Sequence, residues 1–322
     1  MKTRFRSLLL AAAGAALSFG AVDGVVINQS TGKPAANSII SLVQPGQGGM
    51  QTIASKKTDA AGKFAFSQDL QGPQMLQAFF DGVIYTKVVF PGAPATGVTV
   101  DVYNSTNKPE IAKLTQHFIV LQPTTSALNV SESFAFEGAP KLTYNDPSNG
   151  TLRFYLPPGA DKAHVTIQTP GGMPIERQPD KSKEPNIYKT DYAIKPGQTR
   201  FDVVYSLPTA TPLVFSSKLL RNDVATELVT PNGVTLKSDD IEVLGQEPKT
   251  QANIYRVKNA SFSAEVDGAG SLDPAASPDD SGQPSLQQVN PRIYGRLSWI
   301  LGLSFAILAL GFALLYRHRL AR

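Results

Sequence analysis

Between residues 22 and 258 the chain consists of short segments in which apolar and polar residues alternate, and each segment ends in a cluster of turn-forming residues. Successive side chains of a strand point to opposite faces of its sheet, so this alternation predicts strands with one buried face. Almost no stretch of the region has the period of an amphipathic helix. The pattern therefore predicts a mainly β protein.

Residues 21–106 contain about seven predicted strands separated by turn signals, as in a small β-sandwich. At the hairpin signal of residues 58–66, Gly62 can adopt a positive φ, and Phe64 and Phe66 then share one face of a strand. The predicted strands are residues 22–28, 38–43, 51–56, 64–66, 75–80, 83–90 and 98–103.

Four short motifs follow one another in this first region: GVV at 24–26, TGKPA at 31–35, TDAAGKF at 58–64 and FDGVIY at 80–85. Together they resemble a carboxypeptidase regulatory-like domain. The resemblance implies a transthyretin-like antiparallel β-sandwich of the carbohydrate-binding-like class. Because the motifs consist mainly of residues that form turns, the resemblance implies a fold and no catalytic residue.

A second β-rich region is predicted over residues 113–258, where further alternating segments are separated by Pro, Gly and Asn clusters. It is expected to form a second antiparallel β-sandwich, or two smaller β units with a break near Pro208. Residues 259–291 have few apolar residues and no period, which predicts a flexible, solvated stalk.

Both ends of the chain have the composition of membrane signals. Residues 1–20 combine three basic residues with a short apolar run and small residues at the end, which predicts a cleaved export signal peptide. An uncleaved anchor is the alternative. Residues 297–316 are 20 uncharged residues. As a helix they would be about 30 Å long and cross a membrane once.

The flanks of the predicted transmembrane helix indicate its depth and orientation. Tyr294, Trp299 and Tyr316 are predicted interface anchors, because amphipathic rings favour the headgroup level. The export signal would place the body in the periplasm or extracellular space and the tail, residues 317–322, in the cytoplasm. The basic residues of this tail are Arg317, Arg319 and Arg322. The chain is thus predicted to be a single-pass membrane protein.

The net charge of +4 comes from the two ends of the chain. Eight of the 30 basic residues lie in residues 1–20 and 292–322, which contain no Asp or Glu. The other 22 basic residues stand against 26 acidic ones, so residues 21–291 have a net charge of −4, which disfavours nucleic acid as a partner. The absence of cysteine excludes thiol chemistry and thiolate metal sites.

The body carries none of the usual hydrolase, phosphate-binding or dinucleotide-binding motifs. His117 and His164 lie in predicted strands without a second metal ligand at suitable spacing, so they are interpreted as ordinary strand residues. The loop 145–149 offers oxygen atoms but lacks the spacing of a calcium loop, and it predicts an Asx-type turn. No enzymatic activity, cofactor or metal site is expected.

These observations favour a non-catalytic, membrane-anchored protein that acts as a structural or interaction module of the cell envelope, with another envelope or membrane protein as its partner. The alternative is a carbohydrate-binding ectodomain whose ligand is a polysaccharide. The only tryptophan is at the predicted membrane interface, so tyrosines would have to supply a sugar-binding platform. The candidate ligand-facing aromatics are Tyr85, Tyr103, Tyr144 and Tyr155, although tyrosines in strands more often pack against a core.

Overall fold

A computed structural model of the protein describes residues 22–46, 49–67, 72–90, 95–169, 172–270 and 272. These residues form 24 strands and one short 3-10 turn, η1 (Pro109–Ile111), which confirms the predicted mainly β class. Within these ranges no helix is long and apolar enough to cross a membrane. The predicted signal peptide and the predicted transmembrane helix, with its flanks, lie outside the described residues.

The first eight strands form two facing sheets, which we call the N-terminal sandwich. In one sheet β1 pairs with β2, β5 and β8, and the other has the order β4-β3-β6-β7. Side chains that alternate along these strands fill one hydrophobic core, to which both sheets contribute. The strands are β1 (Val22–Asn28), β2 (Lys33–Pro34), β3 (Ile39–Gly46), β4 (Gly49–Lys57), β5 (Lys63–Phe66), β6 (Gln74–Phe80), β7 (Val83–Val89) and β8 (Val98–Val102).

Two glycines allow the first of these sheets to form. Gly62 has a φ of +72°, which confirms the positive φ predicted for the hairpin. A Cβ atom at Gly24 would lie only 1.9 Å from the carbonyl oxygen of Val98. Glycine at position 24 therefore permits the close, parallel pairing of β8 with β1.

The remaining described strands, apart from β9 (Ser105–Thr106), form the part that we call the C-terminal region. Its largest sheet has eight strands in the order β15-β14-β18-β11-β10-β20-β23-β22. The strands are β10 (Ala112–Pro123), β11 (Ala127–Gly138), β12 (Thr143–Tyr144), β13 (Leu152–Tyr155), β14 (Asp161–Gln168), β15 (Ile175–Arg177), β16 (Asp180–Lys181), β17 (Ile187–Thr190), β18 (Gly197–Pro208), β19 (Val214–Lys218), β20 (Thr226–Thr230), β21 (Val234–Lys237), β22 (Ile241–Gln246), β23 (Asn253–Val257) and β24 (Ser261–Gly268).

The eight-stranded sheet contains strands that precede Pro208 in the sequence and strands that follow it, although a break between two β units was considered near this residue. β20 follows Pro208 in the chain, yet it pairs in parallel with β10, which precedes it. Two three-stranded sheets, β13-β17-β16 and β19-β24-β21, contribute to the same hydrophobic core as the eight-stranded sheet. A single core of the C-terminal region thus contains residues that precede Pro208 in the sequence and residues that follow it.

Two expectations need correction. The segment predicted to begin a flexible stalk at residue 259 instead includes β24, the central strand of a three-stranded sheet. Phe262, Ala264 and Val266 alternate with polar residues and are buried, so this short period-2 run is a strand despite its polar composition. In addition, β1–β8 and β10–β20 are parallel pairs within the two regions that were each expected to form an antiparallel sandwich.

The N-terminal sandwich and the C-terminal region are in direct contact. β9 pairs with β12 across this contact, with Ser105 opposite Thr143. Ser30 Oγ donates a hydrogen bond to the carbonyl oxygen of Lys141 at 2.5 Å, and Ala193 packs against the core of the N-terminal sandwich. We call this set of contacts the junction.

Candidate functional site

The outer face of the sheet β4-β3-β6-β7 is the most unusual surface among the described residues. Cross-strand register places its outward side chains in three rows, one residue from each strand. We call this surface the N-terminal face. The first row is Lys57, Ile39, Phe79 and Ile84; the second is Ser55, Ser41, Gln77 and Thr86; the third is Thr52, Val43, Met75 and Val88, of which Val43 is buried.

The first row exposes large apolar side chains to solvent. The exposed fractions are 41% for Ile39, 48% for Phe79 and 52% for Ile84. Their strand neighbours Ile40, Ala78 and Tyr85 are buried, which confirms that the row points away from the core. Contiguous apolar side chains on a sheet surface are typical of interaction sites, whereas single ones are common on any protein.

The second row is polar and uncharged. Ser41 Oγ and Ser55 Oγ are hydrogen-bonded to each other at 3.0 Å, and Gln77 and Thr86 continue the row across β6 and β7. Three strand spacings give the row a length of about 14 Å. Lys57 is the only charged residue of the three rows. The face therefore offers apolar contact and neutral hydrogen-bonding groups, and no negative charge.

The sequence contained a signal for this face that the strand predictions did not use. In three places, two neighbouring apolar residues interrupt the alternation of a strand. These pairs are Ile39-Ile40, Phe79-Phe80 and Val83-Ile84. An apolar pair in a strand places apolar side chains on both faces of the sheet. The pair in β3 is far in sequence from the two pairs in β6 and β7, and the register of the three strands aligns their outward members.

The four tyrosines proposed as ligand-facing do not form one exposed surface. Tyr85 and Tyr144 are buried, with exposed fractions of 3% and 5%, and Tyr103 and Tyr155 are partly buried. Tyr85 OH donates to the carbonyl oxygen of Tyr103 at 2.8 Å and lies 2.9 Å from Thr143 Oγ1. In these positions Tyr85 and Tyr144 present no ring face to a ligand in solvent, and Tyr85 is part of the junction.

A second polar cluster lies inside the core of the C-terminal region. His117 Nε2 donates to Glu132 Oε1 at 2.8 Å, and His117 Nδ1 lies 2.8 Å from Thr226 Oγ1. The imidazole also stacks on Phe134, with 4.3 Å between ring centroids. These residues come from β10, β11 and β20, and all four are at least 95% buried. The cluster thus connects three adjacent strands through side chains.

The surroundings of this cluster leave little space for a substrate. A cavity of about 10 Å³ beside His117 and Glu132 is close to the smallest space that holds one water molecule. Glu132 Oε2 and Tyr205 OH have no hydrogen-bond partner within the described residues. Burial, together with the charge of Glu132, raises the pKa of Tyr205 well above its usual range. The cluster is therefore a buried, hydrogen-bonded pair of polar side chains with no room for a substrate.

The other residues considered for chemistry lie in ordinary surroundings. His164 is partly exposed in β14, and its Nδ1 donates to the carbonyl oxygen of Lys162 at 3.1 Å. Asp146 accepts hydrogen bonds from the Asn149 backbone and side chain, both at 3.0 Å, as an Asx turn does. Over the described ranges, no group of three or more His, Cys, Asp and Glu side chains could hold a metal ion. The predicted membrane anchors Tyr294, Trp299 and Tyr316 lie outside those ranges.

Comparisons with known proteins identify no family. No protein-family model matches the chain, and no curated protein matches it. Among solved structures, the chain is similar to BcpA, the major pilin subunit of Bacillus cereus, at 14% identity over 76% of this chain and 84% of that one, with a TM-score of 0.19. It is also similar to a candidate carbohydrate binding protein from Bacteroides uniformis, at 7% identity over 76% and 98%, with a TM-score of 0.18. Scores of this size do not establish a common fold.

Proposed function

We propose that this protein is a non-catalytic interaction module of the cell envelope that binds a protein partner through the N-terminal face. The observation that supports this is the row of Ile39, Phe79 and Ile84, three exposed apolar side chains adjacent to one another on three strands. The part of their apolar surface that remains in water does not stabilise the fold, and it favours association when a complementary surface covers it.

The proposal includes the topology expected from the sequence. Residues 1–20 direct export and are cleaved, and residues 297–316 anchor the chain in a membrane with residues 317–322 in the cytoplasm. The N-terminal sandwich is then a carboxypeptidase regulatory-like, transthyretin-like module held outside the cytoplasm. In this topology the N-terminal face is accessible to another envelope protein.

The test is recovery of a partner from membranes with the full-length protein in mild detergent. A triple variant, Ile39→Ser, Phe79→Ser and Ile84→Ser, should lose a partner that the unmodified protein retains in fixed stoichiometry. The matched control is Val243→Ser, because Val243 is 70% exposed and lies in β22, outside the N-terminal face. Equal recovery by the triple variant, or absence of any stoichiometric partner, would contradict the proposal.

A second candidate function is binding of a neutral polysaccharide by the same face. The observation in its favour is the polar row, in which Ser55, Ser41, Gln77 and Thr86 lie beside the apolar row. Sugar hydroxyls could bond to the polar row while the apolar face of the sugar contacts Phe79. Saturable binding to immobilised polysaccharide that is lost in Phe79→Ala and in Gln77→Ala would favour this candidate, and no binding would reject it.

A further inference from the structure

The strand β7 is an outer strand of the sheet β4-β3-β6-β7, and among the described residues it pairs only with β6. The two-residue turn Asp81-Gly82 joins β6 to β7, and both of its residues have a positive φ, 48° and 77°. In such a hairpin the residues on either side of the turn form a hydrogen-bonded pair, and this kind of pair then recurs at every second position. The backbone N–H and C=O groups of Ile84, Thr86 and Val88 therefore point away from β6, toward the free edge of β7.

One end of this edge is closed by a side chain of a distant segment. Lys195, which precedes β18, donates a hydrogen bond from its Nζ to the carbonyl oxygen of Ile84 at 2.6 Å. Within the described ranges, no hydrogen bond reaches the outward backbone groups of Thr86 and Val88. Both residues are exposed. The two N–H and two C=O groups of Thr86 and Val88 are thus available to another chain.

The other outer strands of this sheet and of the eight-stranded sheet have features that hinder pairing with another chain, namely short length, bulges and edge lysines. At the opposite edge, β4 has a register shift in its pairing with β3 and contains Lys56 and Lys57. In the eight-stranded sheet, β15 has only three residues and β22 has a register shift in its pairing with β23. In contrast, β7 pairs with β6 over seven consecutive residues without a shift, and its one charged residue is Lys87.

We propose that the protein partner of the N-terminal face binds as an additional β-strand, antiparallel to β7 and hydrogen-bonded to the backbone of Thr86 and Val88. This inference rests on the proposed function, because it states how the same surface takes its partner. An extended segment supplies N–H and C=O groups at the spacing that a free strand edge requires. Its outward side chains would continue the second and third rows of the N-terminal face beyond Thr86 and Val88.

The side chains of β7 specify the chemistry of the added strand. Val88 is 38% exposed and favours an apolar residue opposite it. Lys87 is exposed and forms no salt bridge in the described part of the chain, so it favours an opposite carboxylate. A second copy of this chain fits less well. Two-fold pairing centred on Lys87 places two ammonium groups opposite each other, and pairing centred on Thr86 needs the Ile84 carbonyl oxygen that Lys195 already binds.

Hydrogen exchange in the full-length protein, measured by NMR in mild detergent, tests the free edge. The amides of Thr86 and Val88 should exchange about tenfold or more faster than those of Tyr85 and Lys87, which bond to β6. The probe for strand addition is an end-capped eight-residue peptide with valine, glutamate and threonine in succession at its centre. It should bind saturably and slow exchange at Thr86 and Val88 about tenfold. Equal exchange of the four amides, or a peptide that does not slow these two, would overturn the proposal.

A proline substitution tests the backbone hydrogen bonds directly. Thr86→Pro removes an N–H that points to the free edge and leaves the pairing with β6 intact, so peptide affinity should fall about tenfold. The matched control is Ser55→Pro, because the same alternation directs the Ser55 N–H to the free edge of β4, on the opposite side of the sheet. It should keep the affinity of the unmodified protein. Equal losses in the two variants would contradict binding at β7.

A charge reversal tests the predicted acidic residue of the partner. Lys87→Glu should weaken binding of the glutamate peptide about fivefold, and a peptide with lysine in place of glutamate should recover it. The same variants separate this inference from the proposed function. A membrane partner that is lost by the triple variant of Ile39, Phe79 and Ile84 but retained by Thr86→Pro would support the proposed function and reject strand addition. Retention of that partner by the triple variant would contradict the proposed function itself.

Discussion

The N-terminal sandwich and the C-terminal region depart from the usual distribution of apolar and polar side chains in opposite ways. The N-terminal sandwich has an apolar core and exposes a second apolar row, Ile39, Phe79 and Ile84, on the outside of a sheet. The C-terminal region encloses polar side chains, because the hydrogen-bonded pair of His117 and Glu132 is buried within it. Each departure has a different physical consequence.

The exposed apolar row has little effect on folding, because its side chains are partly in water in the folded state as well as in the unfolded state. The buried pair is different. Removing two polar groups from water is unfavourable, and their mutual hydrogen bond offsets this only while both partners are present. Substitutions on the N-terminal face should therefore change stability little. The buried pair should tolerate only the replacement of His117 and Glu132 together.

The largest effect is expected from breaking the buried pair. Glu132→Ala leaves the His117 imidazole without its acceptor in the core and should lower the free energy of unfolding by about 3–5 kcal/mol. Replacing both residues by leucine should restore most of this loss, because no unpaired polar group then remains. Urea denaturation of the full chain in detergent measures both values. The control Glu242→Ala, which removes an exposed pair with Arg256, should change stability by less than about 1 kcal/mol.

The second-largest loss of stability is expected where β8 approaches β1 closely in the N-terminal sandwich. Gly24→Ala places a methyl group against the Val98 carbonyl oxygen, so β8 must shift, and stability should fall by about 2–3 kcal/mol. Gly32→Ala is the comparison, because Gly32 has a φ of +70° but no atom within 4 Å of an added Cβ. It should cost about 1 kcal/mol, from backbone strain alone. Equal losses for the two variants would show that the close approach of β8 is not what requires glycine.

A smaller effect on stability is expected at the N-terminal face. Phe79→Thr should change the free energy of unfolding by less than about 1 kcal/mol, because Phe79 is about half exposed and threonine suits a strand. The same substitution at the fully buried Phe215 should cost about 3–5 kcal/mol. A loss of several kcal/mol at Phe79 would show that this row supports the fold and would weaken its assignment as a binding surface.

The smallest effect is a difference in acid sensitivity at one turn of the C-terminal region. Burial would raise the pKa of Asp146, but hydrogen bonds from Asn149 and Ser148 outweigh it and hold the pKa below its usual value. A carboxylate with a lowered pKa stabilises the fold above about pH 4, and this contribution is lost as the pH falls further. The melting temperature of Asp146→Asn should therefore decline less steeply below pH 4 than that of the unmodified protein. Parallel pH profiles would contradict this role.

Much of the fold could be predicted because its signals are local. The strands of the first region, the hairpin at Gly62 and the Asx turn at Asp146 each depend on a few neighbouring residues. β24 was missed although Phe262, Ala264 and Val266 alternate correctly, because the overall polar composition of its segment favoured a stalk. The parallel pairing of β10 with β20 brings together residues about 110 positions apart, as with His117 and Thr226, and no local pattern indicates it.

The sequence by itself determined the mainly β class, the positions of most strands and the expectation of membrane signals at both ends, because each follows from alternation, turn chemistry or apolar length within a short window. Tertiary structure decided which side chains meet. The N-terminal face depends on the register of β3, β6 and β7, the buried pair on that of β10 and β11, and the junction on contact between distant segments. The burial of a side chain and its hydrogen-bond partners depend on which strands lie beside it, so they are set only when the strands assemble.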